Sequence, residues 1–217
     1  SVDRNKLTKL YNESSIIDRS PWFMENFISR SVVGEPLWQF YGYETDGLFQ
    51  SIDEIENHAE QSDTISEKTG TWVGDVKFVD QNGDGVIDER DRTFIGNPWP
   101  KFTGGLNNTL TYKNLELNIA ITYVYGNDVF NYAEFNNGTV SGASVYSGRF
   151  QSAAEFAKVA YDVEGNPYLE NPETDVARAI SGDPNGNEKP SDKWVEDGSY
   201  VRLRNLQLSY IIPNKIY

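Results

Sequence analysis

The sequence predicts an all-β chain, from two stretches of apolar alternation and from the Asn, Gly, Asp and Pro-rich segments that separate them. In the first stretch Phe102, Gly104, Leu106, Asn108, Leu110 and Tyr112 occupy one phase, and Thr103, Gly105, Asn107, Thr109 and Thr111 the other. After Lys113-Asn114 the apolar phase resumes at Leu115, Leu117, Ile119, Ile121, Tyr123 and Tyr125, opposed by Glu116, Asn118, Ala120, Thr122, Val124 and Gly126. Period-2 alternation marks strands. A two-residue turn pairs 112 with 115, then 110 with 117, 106 with 121 and 102 with 125, so both apolar phases land on one hairpin face. In the second stretch, residues 200 to 212, Val201 and Leu203 lie on one phase and Leu206, Leu208 and Tyr210 on the other. That slip predicts a bulge near Arg204-Asn205, and Pro213 ends the strand.

Each hairpin strand holds about 11 residues, the length a tilted strand needs to cross a bilayer. Phe102 and Tyr125 at one end and Tyr112 at the other suit the aromatic girdles of a membrane barrel. The same hairpin also suits a soluble β-sandwich with one face on a core. Periodicity leaves both open.

Composition narrows the function classes. The chain has 217 residues, 38% hydrophobic and 13% aromatic, with 19 Lys plus Arg against 33 Asp plus Glu, a net charge of −14. That length can bury a sizeable core, and the aromatic share is too high for disorder. A mean hydropathy of −0.59 with no long apolar run excludes a transmembrane helix but not barrel strands, whose alternation averages to polar. Phosphate would repel so acidic a chain, so nucleic acid does not fit as a partner. No cysteine is present and His58 is the one histidine, which excludes thiolate chemistry, Cys-based metal sites and HExxH. His58 itself reads as the polar side of a short helix. The many carboxylates include no pair marked by spacing as a glycosidase couple. The sequence starts with neither Met nor an apolar leader, and both ends read as cut from a longer chain.

The remaining elements follow in order. Leu7, Leu10, Tyr11, Trp22, Phe23 and Met24 precede a β-prone cluster, Leu37-Trp38-Gln39-Phe40-Tyr41-Gly42-Tyr43, whose aromatics fall on both phases and so should be covered on both faces. Ser51 and Glu54 form an S-x-x-E capping box ahead of Ile52, Ile55 and Ala59, predicting a helix. Residues 61 to 70 form a polar loop, and 73 to 79 a strand. The long region 127 to 198 reads as a functional excursion, with a helix near 152 to 160 capped by Ser152 and Glu155.

The most specific chemical motif is the loop 80 to 91, Asp-Gln-Asn-Gly-Asp-Gly-Val-Ile-Asp-Glu-Arg-Asp. Short oxygen side chains fall at positions 1, 3, 5, 9 and 12, with Gly85 at the sharp turn and Ile87 as an inward apolar anchor. A hard cation such as Ca2+ takes about six to eight oxygens, and alternate residues of a tight loop aim theirs at one point. Asp80, Asn82, Asp84, Asp88 and Asp91 would supply side chains and Val86 its carbonyl. Position 12 is Asp rather than Glu, and a strand rather than a helix precedes the loop, so the loop resembles a single dockerin-like copy. A metal-free Asp/Gly turn is the alternative.

Several ordered blocks then resemble one family. Gly34-Glu35-Pro36, Phe40-Tyr41-Gly42-Tyr43, Thr45-Asp46-Gly47-Leu48-Phe49, Gly74-Asp75-Val76-Lys77-Phe78 running into the loop, Arg92 to Pro98, and Pro100-Lys101-Phe102 resemble the SusC/RagA family of TonB-dependent outer-membrane receptors. So do Tyr125-Gly126-Asn127-Asp128 and Ser191-Asp192-Lys193-Trp194-Val195-Glu196-Asp197-Gly198-Ser199-Tyr200-Val201-Arg202-Leu203-Arg204-Asn205-Leu206. The resemblance implies a segment of a large antiparallel transmembrane β-barrel with long extracellular loops and short helices, in the bacterial outer membrane. It implies no enzyme but an importer of glycans or peptides, working with a SusD-like surface lipoprotein and with the TonB system through a plug that, with its TonB box, these residues do not contain.

The resemblance also orients the chain. Short barrel turns face the periplasm, so residues 1 to 101, with the calcium loop, become an extracellular region. Residues 102 to 126 become a membrane hairpin, 127 to 198 a long extracellular loop, and 199 to 213 a membrane strand among lipid and the remainder of the barrel. Trp22, Trp38, Tyr41, Tyr43 and Trp99 become candidates for stacking on an oligosaccharide solute, with loop packing as the alternative for each. A soluble, secreted, calcium-stabilised β-domain that binds carbohydrate is the competing whole-chain reading.

Overall fold

A computed structural model describes residues 4–11, 16–19, 28–140 and 148–212. Trp22 and Pro213 lie outside them. The first half carries β1 (Ile16–Arg19), β2 (Ser29–Val32), β3 (Gln39–Gly42), β4 (Thr45–Leu48), α1 (Ile52–Glu56), β5 (Val76–Phe78) and β6 (Thr93–Gly96). The long strands β7 (Phe102–Tyr112) and β8 (Leu115–Tyr125) follow. Then come β9 (Asp128–Phe130), α2 (Tyr132–Asn137), β10 (Val159–Tyr161), β11 (Pro167–Leu169), β12 (Val195–Asp197) and the third long strand, β13 (Tyr200–Tyr210). The long strands pair antiparallel in the order β13-β8-β7, while the short ones form a four-stranded sheet, β1-β2-β3-β6, and three two-stranded ribbons.

The hairpin has the register its turn predicts: Tyr112 faces Leu115, Leu110 faces Leu117, Leu106 faces Ile121 and Phe102 faces Tyr125. Lys113 takes φ 54°, the left-handed backbone that a two-residue hairpin turn needs, at a cost of about 1–2 kcal/mol for a side chain with a Cβ. The ladder of facing pairs beyond it outweighs that strain. Strand β13 pairs with β8 from Tyr200 opposite Val124 to Tyr210 opposite Leu115, and its register shifts between Leu203 and Asn205. The extra residue, Arg204, keeps Leu203 opposite Ile121 and Leu206 opposite Ile119. Without it, half of the strand's apolar side chains would turn to the other face.

Tertiary contacts reshape the helices. Glu54 N donates to Ser51 Oγ at 3.3 Å, but the Glu54 carboxylate accepts from Gln50 N at 2.7 Å instead of Ser51 N, so the capping box is half formed, and α1 stops at Glu56. The helix expected over 152 to 160 is instead a short 3-10 turn, Gln151–Glu155, capped by no side chain. Asn171 and Thr174 draw the carbonyls of Phe156 and Glu155 into bonds of 3.0 and 2.6 Å, and Ala157 N donates to Val176 O. Phe156 is extended at ψ 157°, and the chain runs on into β10.

The buried core lies in the loops, not under the long strands. Tyr43, Leu48, Phe49, Ile55, Val73, Val76, Phe78, Ile87, Ala157, Leu169 and Ala177 form one cluster. Phe49 and Phe78 are wholly covered, each removal from water contributing about 1.5–3 kcal/mol. Gly42 lets segment 190 approach, since a Cβ there would sit 2.3 Å from Pro190 O. Tyr43 and segment 190–192 then exchange bonds, Tyr43 N to Pro190 O at 2.9 Å and Asp192 N to Tyr43 O at 3.0 Å.

A polar network fastens the two halves more tightly. Arg178 Nε and Nη2 donate to Asp75 Oδ1 and Oδ2 at 2.7 and 3.0 Å, and Asn187 Nδ2 donates to Asp75 Oδ1 at 2.9 Å. Burial pushes the Asp75 carboxyl up, opposed by Arg178, Asn187 and the Trp72 N–H. Three amide side chains serve the outer edge of β5. Asn187 Oδ1 accepts from Val76 N, Gln61 Oε1 accepts from Phe78 N, and Asn185 Nδ2 and Gln61 Nε2 donate to Val76 O, all within 3.0 Å. Replacing one member of a buried pair strands the other charge at a cost of about 3–5 kcal/mol. Arg178→Ala should therefore open the loops to limited proteolysis in the full-length protein, and unchanged cleavage would show that the pair is not a fastening.

An apolar sheet face, a chelating loop and candidate stacking residues

Residues facing each other across an antiparallel pair share a face. Leu106 and Leu110 of β7, Leu117, Ile119 and Ile121 of β8, and Val201, Leu203, Leu206 and Leu208 of β13 therefore line one side of the long sheet. Phe102, Tyr123 and Tyr125 close that side at one end, and Tyr112 and Tyr210 at the other. Asn108, opposite Ile119, is a polar residue within it. Tyr123 lies across Gly104, where a Cβ would meet its hydroxyl at 2.3 Å. The opposite side carries Thr, Asn, Gly and Ala with Glu116, Arg202, Gln207 and Ser209.

A sandwich would bury this apolar side, and among the described residues no layer covers it. Leu106 is 56% exposed, Leu206 62% and Leu208 69%. So extended an apolar patch on a protein surface marks a face meant for another apolar phase. The sandwich and standalone-domain readings fail here. No helix among the described residues is long and apolar enough to cross a membrane, which leaves strands as the crossing elements.

The acidic loop is closed around its own N–H groups. Asp80 Oδ1 accepts from Gly83 N at 2.7 Å and Oδ2 from Gly85 N at 2.9 Å, while Asn82 and Asp84 accept from Asp84 N and Val86 N. Gly83 and Gly85 have φ of 73° and 85°, which tightens the turn. Asp91, fully buried, accepts from Gln81 N at 3.1 Å and Asp88 N at 2.7 Å and so ties the two loop ends. The Gly85 and Gly83 amides hold the Asp80 carboxyl below its ordinary range, and Arg90 does the same for Asp88. Arg90 spans Asp84 and Asp88 at 2.8 and 2.7 Å. Ile87 anchors in the core, flanked by bonds between Glu60 and residues 85 and 87. Among the described residues no three His, Asp or Glu side chains converge as a metal-holding group.

The stacking candidates separate by environment. Tyr43 is 7% exposed against Phe78 and belongs to the core, so no solute reaches its face. Tyr41 has the Arg30 guanidinium 3.8 Å and the Arg92 guanidinium 5.2 Å from its ring centre. Trp38 is half-buried at φ 59°, with Arg19 at 5.3 Å over its ring. Trp99, 43% exposed, donates its indole N–H to Leu37 O at 2.7 Å. Sequence reasoning missed the Asp75 and Arg178 network, whose members lie 103 positions apart; a lone Asp between Val73 and Val76 in a strand was the available signal.

No family model matches the chain. It is 33% identical over 215 residues to TonB-dependent receptor P3 of Formosa agariphila, a match covering 98% of this chain and 19% of that receptor. Receptor P26 of the same organism is 32% identical over 185 residues, covering 85% of this chain and 17% of the receptor. The TonB-dependent receptor SusC of Bacteroides thetaiotaomicron is 26% identical over 137 residues, covering 63% and 12%. Among solved structures, the RagAB peptide transporter aligns over 100% of this chain and 20% of its own, with a TM-score of 0.61 at 21% identity. The chain thus spans about a fifth of the length of its relatives. With three membrane-length strands bearing an uncovered apolar face, the chain belongs to the SusC/RagA family of TonB-dependent outer-membrane receptors, as a segment of the barrel.

Proposed function

We propose that this segment forms part of an importer of glycans or peptides across the outer membrane, with a SusD-like lipoprotein at the cell surface. The observation that carries the reading is the apolar face of β13, β8 and β7, bounded by aromatics at both ends. TonB would drive the transport through a plug formed elsewhere in the receptor. The role is passage rather than catalysis. In this orientation the Lys113-Asn114 turn is periplasmic, and the segments before 102 and from 127 to 198 are extracellular. Both large segments leave the same end of the sheet, as barrel loops on one side of a membrane must. For the solute, Trp99 is the stacking candidate that stays exposed. The two solute classes are peptides, since the aligned RagAB is named a peptide transporter, and glycans, which the resemblance of the sequence implies.

An Arg on the lipid side near mid-membrane costs roughly 2–4 kcal/mol, whereas the lumen side tolerates polarity. Ile119→Arg should therefore sharply lower the heat-modifiable, folded fraction of the full receptor in outer membranes, while Asn118→Arg on the opposite side changes it little. Equal effects of the two would sink the lipid-facing assignment.

The same reading includes a Ca2+ ion in the loop 80 to 91. The residues fit a hard cation in type: oxygens of Asp80, Asn82, Asp84, Asp88 and Asp91, with the Val86 carbonyl, match its preference for about six to eight oxygen ligands. What supports it is the wrapped loop, with glycines at both left-handed positions and Arg90 already neutralising two of the carboxylates. The ion would take over that neutralisation and hold the loop ends together. Binding to the folded loop alone stabilises it by about 2.7 kcal/mol at a hundredfold excess over Kd. Calcium should slow protease cleavage within 80 to 91 of the full receptor, EGTA should restore it, and Asp80→Ala with Asp84→Ala should abolish the difference. Identical digestion with Ca2+ and with EGTA would remove calcium from the account.

A further inference from the structure

We propose that a cationic cleft just before the first residue of β7 binds a phosphate group. The cleft has a volume of about 220 Å³ and is lined by Arg4, Asn5, Asn97, Trp99 and Lys101 between Pro36 and Pro100. That is smaller than the roughly 300–1,000 Å³ of a site enclosing a whole drug-sized molecule, so it suits one group of a larger one.

Backbone bonds place the lining. Leu7 N donates to Glu35 O at 2.9 Å and Gly34 N to Leu7 O at 2.8 Å, which lays the segment carrying Arg4 and Asn5 against residues 34–37. Lys101 N donates to Tyr125 O at 2.9 Å at the open end of the hairpin. The Lys101 stem crosses Gly126, where a Cβ would come within 2.7 Å of Lys101 Cδ.

The polarity of this lining is one-sided. Asn5 Oδ1 accepts from Leu37 N at 2.8 Å and Asn97 Oδ1 from Trp99 N at 2.9 Å. Each amide has spent its acceptor on the backbone and keeps the two N–H donors of its Nδ2. Trp99 gives its indole N–H to Leu37 O, so its exposed ring offers an apolar face. No Asp or Glu lines the cleft, and among the described residues neither Arg4 nor Lys101 joins an ion pair. Two cations on one small cleft repel each other unless an anion joins them. Asp128 and Asp197 line the adjoining cleft, which shares Asn97 and Lys101, so an anion is held toward Arg4.

A phosphate monoester answers that set. It brings a charge of about −1.5 to −2 at neutral pH and three strong acceptor oxygens, against which guanidinium, ammonium and amide groups all donate. A carboxylate brings one charge and two oxygens, and an uncharged sugar leaves both cations unneutralised. Trp99 would cover the apolar link that carries the phosphate. The cleft ends one residue before Phe102, whose ring stacks on Tyr125 at 5.0 Å at the aromatic end of the sheet. The orientation proposed above puts that end at the outer rim of the membrane, and the ligand's source rests on that reading. The phosphate could belong to a lipid headgroup or to a free ester, and the chemistry is shared.

The test titrates the full receptor in detergent by native mass spectrometry with dioleoylphosphatidic acid, dioleoylphosphatidylcholine, glycerol 3-phosphate and succinate. Arg4→Ala and Lys101→Ala should each weaken binding of the phosphate monoesters about tenfold, as expected for loss of a charge-assisted hydrogen bond, and Arg4→Lys should lose less. Binding of glycerol 3-phosphate identifies a soluble source, and binding of phosphatidic acid alone a headgroup. Retention of neither, equal affinity in the alanine variants, or phosphatidylcholine or succinate held as tightly as the monoesters overturns the proposal. Heat-modifiable migration of every receptor reports the barrel separately: a folded receptor that retains no monoester refutes the cleft, whereas a wild type without heat-modifiable migration refutes the barrel.

Discussion

Hydrocarbon offers no hydrogen-bond partner to a peptide group, so a chain that crosses it must satisfy every backbone N–H and C=O by pairing with another strand. That constraint governs the long sheet. It demands an unbroken ladder, and it favours apolar side chains on the outer side, where Asn108 is the exception in β7 and β8. In β7 and β8 the two demands agree, because a two-residue turn sets a register in which both alternations point the same way. In β13 they conflict: Leu203 and Leu206 are three apart and belong on opposite sides of a regular strand. The bulge at Arg204 resolves the conflict by spending one residue of register. The cation itself is then a consequence, a residue tolerated at the one place where the ladder is already irregular.

Outside the membrane the constraint changes, because water is present and the loops have few long strands with which to pair. Backbone groups are satisfied instead by side chains from distant segments. Among the described residues strand β5 pairs with β4 alone, and amides of Gln61, Asn185 and Asn187 complete its other edge. This arrangement needs Asp75 and Arg178 to hold segment 178–187 in place, and those two need the surrounding apolar cluster to exclude water from their bonds. Hydrophobic burial, ion pair and amide ladder therefore support each other, which allows a loop region with short strands and one-turn helices to keep a single shape.

What was legible in the sequence follows from this difference. Period-2 alternation is a local property, so the hairpin register, the strand ends and even the bulge could be read from residues 102 to 126 and 200 to 210. The loop region is held by contacts between residues about a hundred positions apart, and nothing local marks them. The expected helix at 152 failed for that reason: Asn171 and Thr174 compete for its carbonyls. Helix α2 and strands β9 to β12 went unread inside a segment whose composition says only loop. Tyr43 illustrates the same limit at the level of sites, because an aromatic next to Trp38 and Tyr41 in sequence turns out to face the core. The acidic loop was legible in residue type and spacing. Its present bonding, with Arg90 across two carboxylates, was not.

The charge distribution connects the two regions. The three long strands carry two Arg and one Glu, a net of +1 in a chain of net −14, so the whole acidic excess lies in the connections. Dense like charge destabilises a compact state unless cations are interleaved. The structure interleaves them at discrete points: Arg178 at Asp75, Lys77 between Asp46 and Glu54, and Arg90 between Asp84 and Asp88. The first two are held within packed surroundings, whereas Arg90 is largely exposed, on a loop whose Asp80 carboxylate accepts from the Gly83 and Gly85 amides. Screening by water and salt makes an exposed guanidinium the weakest of these clamps. The acidic loop is therefore the place where a small, strongly charged ion would add most to the fold and displace least.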